Sequence, residues 1–301
     1  MYKSFYGFQR NPFEITPDPR FFYGTPRHNE ALASLLHGID RRKGFVVVTG
    51  EVGTGKTLIS RCLVQWLNRQ RIPFAYIFNP LLSTVEFLRY AATDMGLPTV
   101  PKTKGDLLGE LNRYLIAQHH RNSTAVLIVD EAQLLSWELL EEIRLLTNLE
   151  TGQQKLLQIV LMGQPELDTK LDSQDLRQLK QRICLRCKLE PLGPSELQKY
   201  VGVRLMLAGS RRKSEEIFPI ETMEQIHEYS RGIPRVVNII CEASLIAGFA
   251  MKRLRISPET IAEVAADFRL DSARLPVDSS KITPMPVRAA MCSPEVEQVQ
   301  S

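Results

Sequence analysis

The 301 residues carry 38 Lys and Arg against 34 Asp and Glu, 44% hydrophobic residues and a net charge of +4. That length and apolar content supply a sizeable core and allow two modest domains or one large one, which excludes wholesale disorder. The longest aliphatic runs, Phe45–Val48 and Ala125–Val129, fall far short of the roughly 18 apolar residues of a membrane span, and Met1–Gly7 lacks a secretory h-region, so a cytoplasmic chain without a transmembrane segment is expected.

Residues 1–30 place Tyr2, Phe5, Tyr6, Phe8, Phe13 and Phe21–Tyr23 among Pro12, Pro17, Pro19 and Pro26, which predicts an irregular arm that packs on a neighbour. Ala31, Leu32, Leu35, Leu36 and Ile39 then recur at helical spacing through Arg27–Asp40. Apolar runs at Phe45–Thr49, Phe74–Phe78, Ala125–Val129, Leu157–Met162 and Ile183–Leu189 alternate with helical stretches at Leu58–Arg71, Thr84–Met95, Lys104–His120 and Trp137–Leu149. Continuous apolar strands between helices predict a parallel sheet covered on both faces, a three-layer α/β domain over 31–190. Helical periodicity alone follows at Glu196–Ala208, Ile220–Ser230, Val236–Met251 and Pro258–Phe268, giving a small all-α domain over 191–270. The Pro- and Ser-rich residues 271–301 read as a flexible tail. Five dispersed cysteines, Cys62, Cys184, Cys187, Cys241 and Cys292, read as reduced thiols, and the lone Cys184-x-x-Cys187 has no second pair to make a zinc site.

Gly50-Glu51-Val52-Gly53-Thr54-Gly55-Lys56-Thr57 fits the phosphate-loop pattern G-x-x-x-x-G-K-[ST], with a predicted strand before it and a helix opening at Leu58 behind it. The glycines let successive N–H groups face phosphate oxygens, Lys56 would reach the β- and γ-phosphates, and Thr57 would complete a Mg²⁺ shell. Asp130-Glu131 ends the strand Ala125–Val129, where Asp130 would hold Mg²⁺ through water and Glu131 would act as general base. Alone, these could be a glycine-rich turn and a pair of helix-capping acids near Ser136. Together they predict an ATP hydrolase.

At this point the chain resembles the AAA+ ATPases, and within them the ExeA/GspA-type secretion ATPases, over residues 1–270. The resemblance is carried by Tyr2–Phe13 with Asn11-Pro12-Phe13, Phe22–His28, Glu30-Ala31-Leu32, Gly50–Thr57, Val126–Gln133, Gly163-Gln164-Pro165-Glu166-Leu167, Gln181-Arg182-Ile183 and Gly232-Ile233-Pro234-Arg235. It implies a P-loop domain followed by a helical lid, with Gln164 as the sensor 1 polar residue, Arg235 as sensor 2, and the region Tyr23–Arg27 near the adenine. It also implies that Arg182 is an arginine finger acting on a neighbouring protomer, with Arg177 and Arg186 as alternatives, and hence a ring or filament of identical chains.

Two functions compete: an oligomeric motor or switch serving a secretion or cell-envelope client, and a DNA-binding regulator resembling the MuB/TniB/TnsC transposition ATPases. A blander third option is a nucleotide-gated scaffold, against which Glu131 and Arg182 speak. The DNA reading rests on charge placement. Arg177–Lys213 holds ten Lys or Arg and two acids, Glu190 and Glu196, a local +8 that leaves −4 for the rest. Within that segment Arg211-Arg212-Lys213 reads either as a solvated loop or as a contact to DNA or an acidic partner.

Overall fold

The computed structural model describes residues 1–98, 103–152 and 154–270, so the tail expected at 271–301 lies outside the described residues. Strands β1 (Phe45–Gly50), β2 (Phe74–Ile77), β3 (Ala125–Val129), β4 (Leu157–Gly163) and β5 (Leu185–Leu189) form one parallel sheet in the order β2-β3-β4-β1-β5. β1, between β4 and the edge strand β5, sets Val47 opposite Leu161 of β4 and Arg186 of β5.

Because side chains alternate along a strand, the apolar runs serve two cores. Phe45, Val47, Leu127, Val129, Ile159 and Leu161 pack under α4 (Thr84–Asp94), α5 (Lys104–His120), α6 (Trp137–Leu146), α7 (Pro165–Leu171) and α8 (Arg177–Lys180). Val46, Val48, Val126, Ile128, Val160 and Met162 pack on the other face, under α2 (Pro26–Asp40) and α3 (Lys56–Gln70). Helices α4 and α5 start at capping boxes, Ser83 with Glu86 and Thr103 with Asp106.

Several boundaries differ from those the sequence predicts. Helix α3 begins at Lys56 and not Leu58, α6 ends at Leu146 and not Leu149, and the short α7 and α8 follow β4 where no helix is anticipated. Ile183 precedes β5, whose Arg186 and Lys188 face solvent because this strand forms one edge of the sheet. At the opposite edge the outward N–H of Tyr76 in β2 donates to the Asp94 carboxylate at 2.6 Å, which closes a strand edge otherwise open to pairing.

Beyond β5 the chain is helical: α9 (Pro194–Leu207), α10 (Ser214–Ile217), α11 (Ile220–Ser230), α12 (Pro234–Ala250) and α13 (Pro258–Asp267). Their shared core contains Leu197, Val201, Leu205, Phe218, Ile226, Val237, Ile240, Leu245 and Ile261, and also Tyr6, Phe8 and Phe13. The amino-terminal arm is thus not wholly irregular. Tyr2–Tyr6 forms a helix, α1, and its neighbour is the helical region of its own chain, where Tyr6 Oη donates to the Arg253 carbonyl at 2.9 Å. Phe13 is fully buried, edge-on to Phe218. Phe13→Ala is expected to cost about 3–5 kcal/mol, as for other large-to-small aromatic truncations, read as a lowered urea midpoint of the helical region.

Candidate functional site

The sheet carries the loop Gly50–Thr57 from the carboxyl end of β1 into α3. Gly55 (φ +107°) precedes the helix, so the first N–H groups of α3 stay free to meet an anion. Gly53 has φ +84°, and a Cβ there would stand 2.8 Å from the Arg235 Cβ, so the lid can approach only a glycine. The Gly53 carbonyl accepts from the Arg235 N–H at 3.2 Å. Within the loop, Lys56 Nζ donates to the carbonyls of Gly50 (2.6 Å) and Glu51 (2.9 Å), and Thr54 Oγ1 donates to Glu51 (2.8 Å). Burial lowers the Lys56 pKa, against the raising influence of Glu131 and Asp130. The Val52 and Thr57 side chains are exposed, and Leu58 is half-buried.

A residue without a predicted role holds this loop from beneath. His28 Nε2 lies 2.8 Å from the Thr54 carbonyl and Nδ1 lies 2.6 Å from Thr25 Oγ1. A carbonyl only accepts, so Nε2 carries the proton and Nδ1 receives one from Thr25. Burial lowers the His28 pKa, which keeps the ring neutral near pH 7.

Asp130 is buried at the end of β3. Its Oδ2 accepts from Tyr76 Oη at 2.8 Å and its Oδ1 from the Glu131 N–H at 2.9 Å, while Tyr76 Oη lies 3.1 Å from Ser60 Oγ. Burial raises the Asp130 pKa, and the Tyr76 and backbone hydrogen bonds oppose it. Neither acid caps α6, since Ser136 does so itself. Glu131 has φ +50°, a left-handed conformation that costs a non-glycine residue energy and is typical of functional turns. Its Oε2 accepts from Gln133 Nε2 at 2.6 Å and Gln164 Nε2 at 3.3 Å, and the Gln164 N–H donates to Gln133 Oε1 at 3.0 Å. Two amides therefore clamp one carboxylate. The sequence signal for Gln133 is its position two residues after Glu131, in the same turn.

A cavity of about 360 Å³ gathers Val52, Gly53, Gly55, Lys56, Thr57, Leu58, Glu131 and Arg235 with Tyr200, Arg204, Asn238 and the strap 14–18. The strap forms one wall of this cavity, and Arg61 of α3 donates to its Pro17 carbonyl; Tyr23–Arg27, which the resemblance implied near the adenine, is not among the lining residues. Tyr23 instead meets Tyr200 edge-on, and Arg27 pairs with Glu30 and Glu190. Arg182 lies elsewhere, in a separate cleft with Arg144 and Arg177. Arg186 pairs with Asp168 and Asp172, and Lys180 pairs with Asp172.

Sheet order, phosphate loop and helical lid together define a P-loop protein of the AAA class, and an AAA domain model matches residues 39–171. General secretion pathway protein A of Aeromonas hydrophila is 45% identical over 251 residues, which are 83% of this chain and 45% of that protein. The chain belongs to the AAA ATPases of this general secretion pathway A (ExeA/GspA) type, and it spans less than half the length of that curated relative. Among solved structures it is similar in fold to Cdc6p from Pyrobaculum aerophilum (17% identity, TM-score 0.62, 85% of this chain and 70% of that one). It is also similar to Drosophila ORC bound to DNA (20%, 0.61, 87% and 65%) and to the Thermotoga maritima RuvB Holliday junction branch migration motor (15%, 0.51, 81% and 70%).

Since His28 resists protonation when folded, the unfolded chain binds the proton first as pH falls. Stability is therefore expected to be lost as pH drops below about 6.5 toward the lowered folded value. His28→Gln, which keeps a donor for the Thr54 carbonyl, should flatten the fall in urea midpoint between pH 7.5 and 5.5.

Proposed function

We propose that this chain binds and hydrolyses ATP with Mg²⁺ and acts as an oligomeric motor or switch in assembling a secretion or cell-envelope export system. The carrying observation is the single pocket where Lys56, Thr57, Glu131 and Arg235 converge between sheet and lid, with the Glu131 carboxylate held by two amides. In this reading residues 31–190 are the nucleotide-binding body and 191–270 the lid that closes on it.

Within the loop Gly50–Thr57, the N–H groups of Gly53, Gly55, Lys56 and Thr57 would receive the phosphates, and Lys56 Nζ would exchange carbonyl partners for phosphate oxygens. The donor set at Thr57 and Asp130, a hydroxyl and a buried carboxylate beside the loop, suits Mg²⁺. When bound, that ion supplies charge neutralisation at the β- and γ-phosphate oxygens. Glu131 would take the proton of the attacking water while Gln133 and Gln164 hold its orientation. Arg235 would face the phosphates from the lid, and Arg182 would serve the site of a second copy, because it lies outside the pocket of its own chain. The lid would carry closure to the oligomer, and the 45% identical relative, a general secretion pathway protein, supports the secretion client. Among the described residues no helix is long and apolar enough to cross a membrane.

The DNA-regulator reading gains no support from the fold. Its basic segment is not one free surface: Arg204 is buried, and Arg186 and Lys180 pair with acids.

Lys56→Ala is expected to abolish nucleotide binding or turnover. Glu131→Gln should retain ATP affinity in calorimetry and lose turnover by at least about 100-fold, as expected for a lost general base; normal turnover in that variant would sink the mechanism. Arg182→Ala chains should regain hydrolysis when mixed with Lys56→Ala chains, because each supplies what the other lacks. Failure to recover would remove the trans assignment.

A further inference from the structure

The end of the pocket away from the phosphate loop is closed by Tyr200 and Arg204 of α9 and Asn238 of α12. Arg204 is 6% exposed and no carboxylate among the described residues pairs with it. Its Nε–H donates to the Pro12 carbonyl at 2.6 Å, its Nη2 to the Glu14 carbonyl at 3.2 Å and its Nη1 to Tyr200 Oη at 2.8 Å. The rings of Phe21 and Tyr200 lie 4.9 and 5.4 Å from the guanidinium carbon.

This arrangement fixes a direction. A guanidinium has donors only, so Tyr200 Oη is the acceptor of that bond, and its single proton must go to its other partner, Asn238 Oδ1, at 2.8 Å. A flipped amide would leave the Tyr200 hydroxyl proton without this acceptor. Oδ1 therefore faces Tyr200 and the NH₂ group faces away. Asn238 is 7% exposed and lines the pocket, and no group among the described residues accepts a hydrogen bond from its Nδ2. An amide donor without a protein acceptor, on a largely buried residue that lines a cavity, is a binding group in search of a ligand atom.

We propose that Asn238 reads the base of the nucleotide: its Nδ2–H donates to a ring nitrogen of a purine, and Arg204 acts through Tyr200 as the positioning residue that holds the amide in its donating orientation. The inference rests on the reading of the pocket as an ATP site. Placement favours the base over the phosphates. Asn238 stands three residues, about 4.5 Å of helix rise, beyond Arg235, whose backbone touches the phosphate loop. Across from it runs the strap 14–18, tied to the same Arg204 through Glu14. A purine offers in-plane acceptors at N1, N3 and N7, which match a fixed N–H donor. The strap and Tyr200 supply flanking surface for the ring.

The test pairs a ligand atom with a side chain. Calorimetric affinities of the full chain with Mg²⁺ are measured for ATP, for 1-, 3- and 7-deaza-ATP, and for inorganic tripolyphosphate. One deaza analogue is expected to bind the wild type about tenfold more weakly than ATP, the worth of one hydrogen bond in a dry site. That penalty should vanish in Asn238→Leu, with tripolyphosphate binding unchanged. Asn238→Asp keeps the bond from Tyr200 and removes the donor, so it should also lose the discrimination, which covers a Leu variant that fails to fold. If no deaza analogue is penalised, or if the penalty survives in both variants, the assignment to Asn238 is overturned. If the wild type binds neither ATP nor tripolyphosphate, it is the nucleotide site itself that has failed.

Discussion

The hydrogen bond from the buried His28 ring to the Thr54 carbonyl is the constraint on which the site depends. A phosphate loop must keep N–H groups unspent, so turn hydrogen bonding, here Thr54 N–H to the Glu51 carbonyl at 3.3 Å, can stiffen only part of it. Here it is stiffened through its carbonyls. His28 takes that of Thr54 from below, Arg235 takes that of Gly53 from the lid side, and Lys56 and Thr54 take those of Gly50 and Glu51 from within. Four loop carbonyls are satisfied while the N–H groups of Gly53, Gly55, Lys56 and Thr57 take no backbone acceptor, which is the polarity an anion requires.

The same logic orders the acids. Asp130 sits in a buried strand end where a carboxylate is expensive, and it is kept there by Tyr76 and a backbone N–H. Glu131 is turned out of the strand by its left-handed backbone and met by two amides. Neighbouring residues of one chemical type thereby acquire different surroundings, one enclosed and one poised at the cavity. The sheet supplies the rigidity, since both follow β3, which is hydrogen-bonded on each side by β2 and β4.

The parallel sheet, the helical region after it and the phosphate loop were legible because each has a local signature: apolar runs of strand length, a 3.6-residue period, and glycines at fixed spacing. Elements lacking such a signature were not. Helices α7 and α8 span seven and four residues, too few for a period to emerge. The arm was misread because proline density signals irregularity and cannot say which surface Phe13 will meet, and the partner, Phe218, is distant in sequence. The supporting polar residues escaped for a related reason. Tyr76 looks like one more strand aromatic, Arg204 looks like part of a basic surface, and Asn238 looks like a helix polar residue, until long-range hydrogen bonds give each a single job. Charge counting failed in the same way, since it added Arg204 to a surface from which it is absent.

The shared core of arm and lid also sets an order of events during synthesis. Phe13 and Tyr6 leave the ribosome before the helices that bury them, and the Arg204 that grips the Pro12 carbonyl lies 192 residues downstream. At roughly 5–20 residues per second, that gap is on the order of 10–40 s. For that interval an aromatic arm is exposed beside a sheet that can already close around its own two cores. The strap over the pocket therefore takes its place only after α9, which carries Arg204, has been made.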